Sequence, residues 1–205
     1  MKKKSIFNGL LFFVFLALGI QTIAQQTVEL SEEQFHQKGY YVRIGAAPTF
    51  GYSDFEDSFE YSEYGFFFNL RGGYRFSSKI GAHAIFSWML AEGKTDNTAY
   101  DVDKFNMIGV GGGFTFYFGK GYSYIIPEIM ANEISTTIND VDWTSTLGLG
   151  INLYAGHDIN LGKGLGLGIM GFVHYSTVDL ELSGNDLLGV TNFYYGAEIS
   201  LRFGK

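Results

Sequence analysis

The sequence contains no cysteine, which excludes both disulfide bonds and thiolate metal sites. Basic residues are scarce, because 14 Lys and Arg stand against 21 Asp and Glu and the net charge is −7. The phosphates of a nucleic acid would repel so acidic a chain, so we exclude nucleic acid as a partner. Beyond the N-terminal segment, no apolar run is long enough for a membrane-spanning helix.

The N-terminal segment has the pattern of a secretory signal. A basic start at Lys2–Lys4 precedes an apolar run from Leu10 to Ile20, and small residues end at Ala24. These features predict cleavage after Ala24. An uncleaved anchor is the alternative, although the run is near the lower length limit for a spanning helix. The predicted organisation is a signal peptide over 1–24, a periplasmic lead-in over 25–39 and a barrel domain over 40–205.

Apolar residues alternate with polar residues or glycine in segment after segment. Phe114, Phe116 and Phe118 alternate with glycine, threonine and tyrosine, and a period of two is typical of a β-strand. One face is large and aromatic, while the other mixes glycine with charge. This inverts a soluble barrel and favours a barrel whose outside contacts lipid. The soluble alternative, a lipocalin-like periplasmic barrel, would need the Phe114 face inside.

Eight segments of this kind predict an all-β fold, an eight-stranded antiparallel up-and-down transmembrane β-barrel. Each segment is close to the roughly 9–11 residues that a tilted strand needs to cross a bilayer. A closed sheet also satisfies every backbone group in lipid. The predicted strands are Tyr40–Phe50, Gly65–Phe76, Ile80–Leu90, Phe105–Phe118, Tyr122–Ala131, Thr146–Gly156, Leu165–Tyr175 and Phe193–Phe203.

Short and long connections alternate between these strands, as expected for periplasmic turns and extracellular loops. Most acidic residues fall in the long connections, which predicts acidic loops outside the cell and both termini on the periplasmic side. Pro127 interrupts the fifth strand and predicts a bulge there, or a strand that begins after it. The predicted loops are Gly51–Tyr64, Ala91–Lys104, Asn132–Ser145 and Ser176–Asn192.

From Tyr40 to Phe203 the chain resembles the small outer-membrane barrels of the OmpX-like and OmpA-transmembrane-domain-like family. In that family the last strand alternates apolar residues and ends in an aromatic, which the barrel-assembly machinery recognises. The resemblance assigns that signal to Tyr195, Ile199, Leu201 and Phe203, although Gly204 and Lys205 follow the final aromatic. It implies a monomer in the outer membrane whose partners are membrane lipid, lipopolysaccharide and the assembly machinery.

Strand parity places a set of charged residues inside the barrel. We expect Glu198 to pair with Arg43, and Glu128 to pair with Arg71 or Arg75, because buried charges need partners. The interior of an eight-stranded barrel is just wide enough for its side chains. A plugged lumen is therefore the prediction, and a narrow charged pore is the alternative. The predicted lumen network consists of Arg43, Arg71, Arg75, Glu128, Glu198 and Arg202.

One short motif carries potential chemistry. His174-Tyr175-Ser176 resembles the His-x-Ser of the lipid A 3-O-deacylase barrels, with Glu181 as the nearest acid. The residues that follow Ser176 depart from that family's pattern, so His174, Ser176 and Glu181 are catalytic candidates of an alternative only. The sequence predicts no cofactor and no metal site.

These observations predict a barrel with a structural or surface-interaction role and no enzymatic activity. Fold similarity specifies location better than it specifies activity. Three alternatives therefore stay open: a narrow pore, a lipid A-modifying enzyme, and a subunit of an envelope or secretion assembly.

Overall fold

Antiparallel strands make up nearly all of the described structure. The computed structural model describes residues 38–204 except 57–58, 120–121, 163 and 182–186, so the predicted signal peptide lies outside the described residues. Within the described part of the chain, no helix has the length and hydropathy needed to cross a membrane. The strands are β1 Gly39–Phe55, β2 Phe59–Arg75, β3 Ile80–Thr95, β4 Val102–Phe118, β5 Ser123–Ile138, β6 Val141–Ser145, β7 Gly148–Gly162, β8 Leu165–Glu181 and β9 Leu187–Gly204.

The strands close into a ring of eight positions. From β1 to β5 each strand pairs antiparallel with its neighbour in sequence. Strands β6 and β7 both pair with β5 and β8 and therefore share one position. Pairing of β8 with β9, and of β9 with β1, closes the ring. The predicted fold class is confirmed.

The observed strands are longer than the predicted ones, mainly at their outer ends. Strand β1 continues to Phe55, and β2 begins at Phe59. Most of the predicted loop from Gly51 to Tyr64 is therefore a hairpin of paired strand. Strand β8 likewise continues to Glu181. The prediction of long loops was wrong here because acidic residues are typical of loops, although in this barrel they lie on continuing strands.

The outward face of the barrel is apolar over a broad band. Phe66, Ile129 and Ile199 expose 59%, 64% and 63% of their surface, whereas Arg43 and Arg71 are buried inside. Alternate residues of a strand point to opposite faces, so each strand places its charges inside and its large apolar groups outside. This is the polarity of a barrel that lipid surrounds.

The polarity reverses at the end of the barrel where the sequence predicts extracellular loops. We call this part of the strands the outer extension; it includes residues 51–55 of β1, 59–64 of β2, 91–95 of β3 and 176–181 of β8. There most inward side chains are apolar: Phe55 stacks on Phe59 with ring centroids 4.3 Å apart, and Phe59 stacks on Tyr100 at 4.4 Å. The outward residues are polar, as at Ser62 and Glu92. The extension therefore has the inside and outside of a soluble barrel and continues the same strands beyond the apolar band.

The predicted acidic loops are revised in the same way. Glu92 and Asp179 lie on the exposed outward face of β3 and β8, whereas Glu63 turns inward and is 5% exposed. One Glu63 carboxylate oxygen accepts hydrogen bonds from Ser53 at 2.5 Å and Tyr194 at 2.8 Å. Strand parity, rather than position in the sequence, decides which acidic groups reach solvent.

Pro127 lies within β5 without a bulge. The β4–β5 register has the same offset on both sides of the proline, from Gly113↔Glu128 to Phe116↔Ile125. The residues between those pairs have no partner on that side, because proline has no N–H to donate. The β4–β5 ladder therefore loses pairing around Pro127 but keeps its register. The predicted bulge is absent at this position.

The reversal of polarity predicts opposite effects of lysine at two outward positions. In phospholipid vesicles, Val110→Lys lowers the free energy of unfolding by about 2–4 kcal/mol, because the charge lies in the apolar band. Asp179→Lys, on the outer extension, stays within about 0.5 kcal/mol of wild type. Urea unfolding monitored by tryptophan fluorescence measures both. Equal tolerance of the two lysines contradicts a lipid-facing band.

Candidate functional site

The described residues bury four arginines and four carboxylates inside the barrel. Arg71 on β2 is the hub: its Nε donates to Glu128 Oε1 at 2.6 Å and its Nη1 to Glu198 Oε1 at 3.2 Å. Asn69 bridges the same groups, because it accepts from Arg71 and donates to Glu198, each at 2.5 Å. The Arg71 guanidinium also lies 4.2 Å from the centre of the Tyr154 ring. Four strands, β2, β5, β7 and β9, are thus joined through one cation.

A second ion pair lies closer to the inner end. Arg43 Nη2 donates to Asp158 Oδ2 at 2.8 Å, and Arg43 Nη1 donates to Tyr124 at 2.7 Å and to Ser200 at 3.1 Å. Arg202 Nε lies 3.7 Å from the same Asp158 oxygen. Arg43 therefore pairs with Asp158, and the expected pairing of Arg43 with Glu198 is wrong.

Asp158 is a lumen residue that lies outside the strands predicted from the sequence. The predicted strand ends at Gly156, yet β7 continues to Gly162 and Asp158 is 1% exposed. Its parity with Asn152 and Tyr154 was the available signal. Arg75, the other predicted partner of Glu128, instead donates to the carbonyls of Ser77 at 3.0 Å and Ser78 at 2.7 Å.

Inward glycines make room for these charged groups. A Cβ built on Gly45 would lie 2.1 Å from Glu198 Oε1, and one on Gly168 would lie 2.5 Å from Arg43 Nη1. Contacts that short do not occur for real Cβ atoms without a shift of the neighbours. Glycine at these two positions therefore leaves space for Glu198 and Arg43 in a narrow lumen.

The catalytic candidates His174 and Ser176 both face the lumen. His174 Nε2 lies 3.0 Å from Ser176 Oγ, and His174 Nδ1 lies 2.5 Å from Asn152 Oδ1. Asn152 Nδ2 donates to Glu128 Oε2 at 3.0 Å, so its Oδ1 is the acceptor and His174 Nδ1 carries the proton. His174 Nε2 is then free to accept from the Ser176 hydroxyl. This is the geometry of a serine–histidine–asparagine relay.

The relay is buried inside the barrel. Ser176 is 0% exposed and His174 1% exposed, so a substrate in solvent or lipid does not reach the hydroxyl. The predicted acid, Glu181, lies on the exposed outer end of β8, roughly 23 Å along the strand from His174 at about 3.3 Å per residue. The residue that orients His174 is therefore Asn152 and not the predicted Glu181.

Aromatic side chains fill the barrel above the ion pairs. Phe172 lies between Phe67 and Tyr154, with ring centroids 5.1 and 5.4 Å away, and each of the three is at most 1% exposed. The apolar interior of the outer extension continues this filling. Both charged and aromatic side chains therefore fill the lumen.

The predicted assembly residues lie on β9, which closes the ring against β1. Ile199, Leu201 and Phe203 point outward and are well exposed, while Arg202 between them is buried. Tyr195 shares their outward parity and lies 6.3 Å from Phe50 between ring centroids. The last strand thus has an apolar face towards lipid and a charged face towards the lumen.

Removal of the hub cation tests the ion-pair network. Arg71→Met leaves Glu128 and Glu198 buried without their cation and lowers the free energy of unfolding by about 3–5 kcal/mol. Arg71→Met combined with Glu128→Gln costs less than the sum of the single changes, because the two groups are coupled. Urea unfolding in vesicles gives the values, with exposed Lys94→Met as the control. Additive effects contradict the network.

No protein-family model matches the chain, and no curated protein matches it. Solved structures, in contrast, do match the chain. Neisserial surface protein A has 15% identity and a TM-score of 0.56, over 80% of this chain and 96% of that one. OprG from Pseudomonas aeruginosa has 12% identity and a TM-score of 0.52, over 82% and 97%. The chain has the fold of the small outer-membrane β-barrel proteins.

Proposed function

We propose that this protein is a monomeric outer-membrane barrel with a closed lumen, and that its role is structural or surface-interactive. The observation that carries the proposal is the pairing of a lipid-type outer face with an interior whose charges bind each other. Side chains that satisfy one another inside a narrow barrel stabilise it and leave little room for solute. The N-terminal signal pattern supports export, with cleavage after Ala24.

The orientation follows from the distribution of charge and strand length. Exposed acidic groups such as Glu92, Asp142 and Asp179 lie on the outer extension, whereas exposed Lys79 lies in the turn at the opposite end. At the acidic end the strands continue beyond the apolar band, and in such barrels the parts that extend further from the membrane are extracellular. In this proposal the outer extension stands above the membrane and presents a rigid, acidic, strand-built surface to the exterior.

Two measurements on detergent-extracted protein test this proposal. Unboiled and boiled samples migrate differently in SDS gels, because a closed ladder of backbone hydrogen bonds resists SDS until it is heated. In planar bilayers the same protein gives no single-channel steps, because charged and aromatic side chains fill the lumen. Release into the soluble periplasmic fraction without a gel shift contradicts the membrane barrel. Regular single-channel steps contradict the closed lumen and favour the pore.

The enzymatic alternative has a separate test in His174→Ala. We expect the lipid A masses of cells that overproduce the protein to equal those of cells with the variant. We also expect the variant to unfold at lower urea, because Asn152 and Ser176 lose a buried hydrogen-bond partner. Loss of an acyl chain from lipid A that needs wild-type His174, with the gel shift retained in the variant, would establish a hydrolase.

A further inference from the structure

Glu63 is a buried carboxyl group of the outer extension, and no cation lies beside it in the described part of the chain. Its Oε1 atom lies 2.5 Å from Ser53 Oγ and 2.8 Å from Tyr194 Oη, and its Oε2 atom has no hydrogen-bond partner among the described residues. An isolated buried charge is costly, so these surroundings favour the neutral form of Glu63. The other carboxyl groups that the described lumen buries each pair with an arginine: Glu128, Glu198 and Asp158.

The hydroxyl groups around Glu63 supply too few hydrogens for an ionised carboxylate. Ser53 Oγ lies 2.5 Å from Glu63 Oε1 and 2.7 Å from Asn192 Oδ1. If Glu63 is ionised, Ser53 and Tyr194 are its donors, and Asn192 Oδ1 faces the Ser53 oxygen with no hydrogen between them. A proton on Glu63 removes the shortage, because Glu63 then donates to Ser53 and Ser53 donates to Asn192.

The orientation of the Asn192 amide follows from its other neighbour. His174 Nδ1 carries the proton of the imidazole ring, so Ser176 donates its hydrogen to His174 Nε2 at 3.0 Å. The Ser176 oxygen is therefore an acceptor, and Asn192 Nδ2 donates to it at 3.2 Å. The amide oxygen of Asn192 is then the atom that faces Ser53, as the hydrogen count requires.

These contacts are one end of a hydrogen-bonded chain that joins the outer extension to the Arg71 hub. With Glu63 protonated, every member donates towards Glu128 and no hydrogen is missing. Loss of the Glu63 proton leaves the chain one hydrogen short at its outer end, which destabilises a buried polar network. From Glu63 the chain runs through Ser53, Asn192, Ser176, His174 and Asn152 to Glu128.

The other groups around Glu63 agree with a neutral acid. Burial raises the pKa of Glu63 from 4.5 to about 8, although the hydrogen bonds from Ser53 and Tyr194 oppose the rise. The nearby titratable groups are Tyr61 on β2, Tyr194 on β9 and, 5.8 Å from the Tyr194 ring, His174 on β8. The adjacent strands present residues that do not titrate: Ser53 on β1, Gly93 on β3 and Phe105 on β4.

We infer that Glu63 is a neutral carboxylic acid in this barrel and is the group through which the outer extension responds to external pH. Protonated Glu63 completes the hydrogen bonds inside the extension. In alkaline surroundings its ionisation leaves a buried charge and a missing hydrogen, so the outer ends of the strands open more often. The response to external pH rests on the proposed orientation in the membrane, whereas the protonation itself does not.

Infrared spectroscopy tests the protonation directly, because a protonated carboxyl group has a C=O stretching band that a carboxylate lacks. The full chain in phospholipid vesicles is titrated, and we expect such a band to disappear with a midpoint near pH 8. Glu63→Gln lacks the band, whereas Glu92→Gln, which removes an exposed acid on the adjacent strand, retains it. Tyr194→Phe raises the midpoint by about half a unit, because the ionised form loses a donor.

Trypsin cleavage after Lys94, an exposed residue within paired β3, tests the opening of the outer extension. The folded barrel holds a proton that the open form releases, so opening increases as the pH rises to about 8 and levels off above it. After correction with a peptide substrate, we expect wild type and Glu92→Gln to be cleaved about tenfold faster at pH 9 than at pH 7. Glu63→Gln, whose amide can donate to Ser53 at every pH, shows no such increase.

Two results overturn the inference in a protein that keeps its gel shift. One is a wild-type infrared spectrum without a carboxyl band that depends on Glu63. The other is an equal rise of cleavage with pH in wild type and Glu63→Gln. If wild type shows no gel shift at either pH, the proposed membrane barrel itself is wrong, and the two failures are thereby distinguished.

Discussion

The rest of this structure depends on the closed ladder of backbone hydrogen bonds. In hydrocarbon an unpaired N–H or C=O costs several kcal/mol, so a sheet that lies in lipid must have no edge. Pairing of β9 with β1 removes that edge. Once the ring is closed, period-two alternation leaves two destinations for every side chain, and the size of the ring fixes how much fits inside.

That narrow interior explains why the charges form a network. A buried arginine or glutamate is tolerated only with a partner, and Arg71 supplies one for both Glu128 and Glu198. Inward glycines such as Gly45 and Gly168 make room for these groups. The His174–Ser176 relay belongs to the same network through Asn152 and Glu128. Its geometry is that of a catalytic relay, and both His174 and Ser176 are buried.

The reversal of polarity along each strand marks where the surroundings change. Below the boundary, lipid accepts the apolar outer face and the lumen holds the charges. Above it, water accepts the polar outer face and the lumen is mainly apolar, with Phe55, Phe59 and Tyr61 buried.

The sequence by itself determined the fold class, the approximate centres of eight strands and the inward set of arginines and glutamates, because strand periodicity is local and needs no partner. Only the tertiary structure decided the partners. Arg43 selects Asp158 rather than Glu198, and Asn152 rather than Glu181 orients His174, because cross-strand neighbours depend on register and stagger around the ring. The outer extension was hidden for a related reason: acidic residues on a strand resemble a loop until the apolar residues between them are seen to meet inside the barrel.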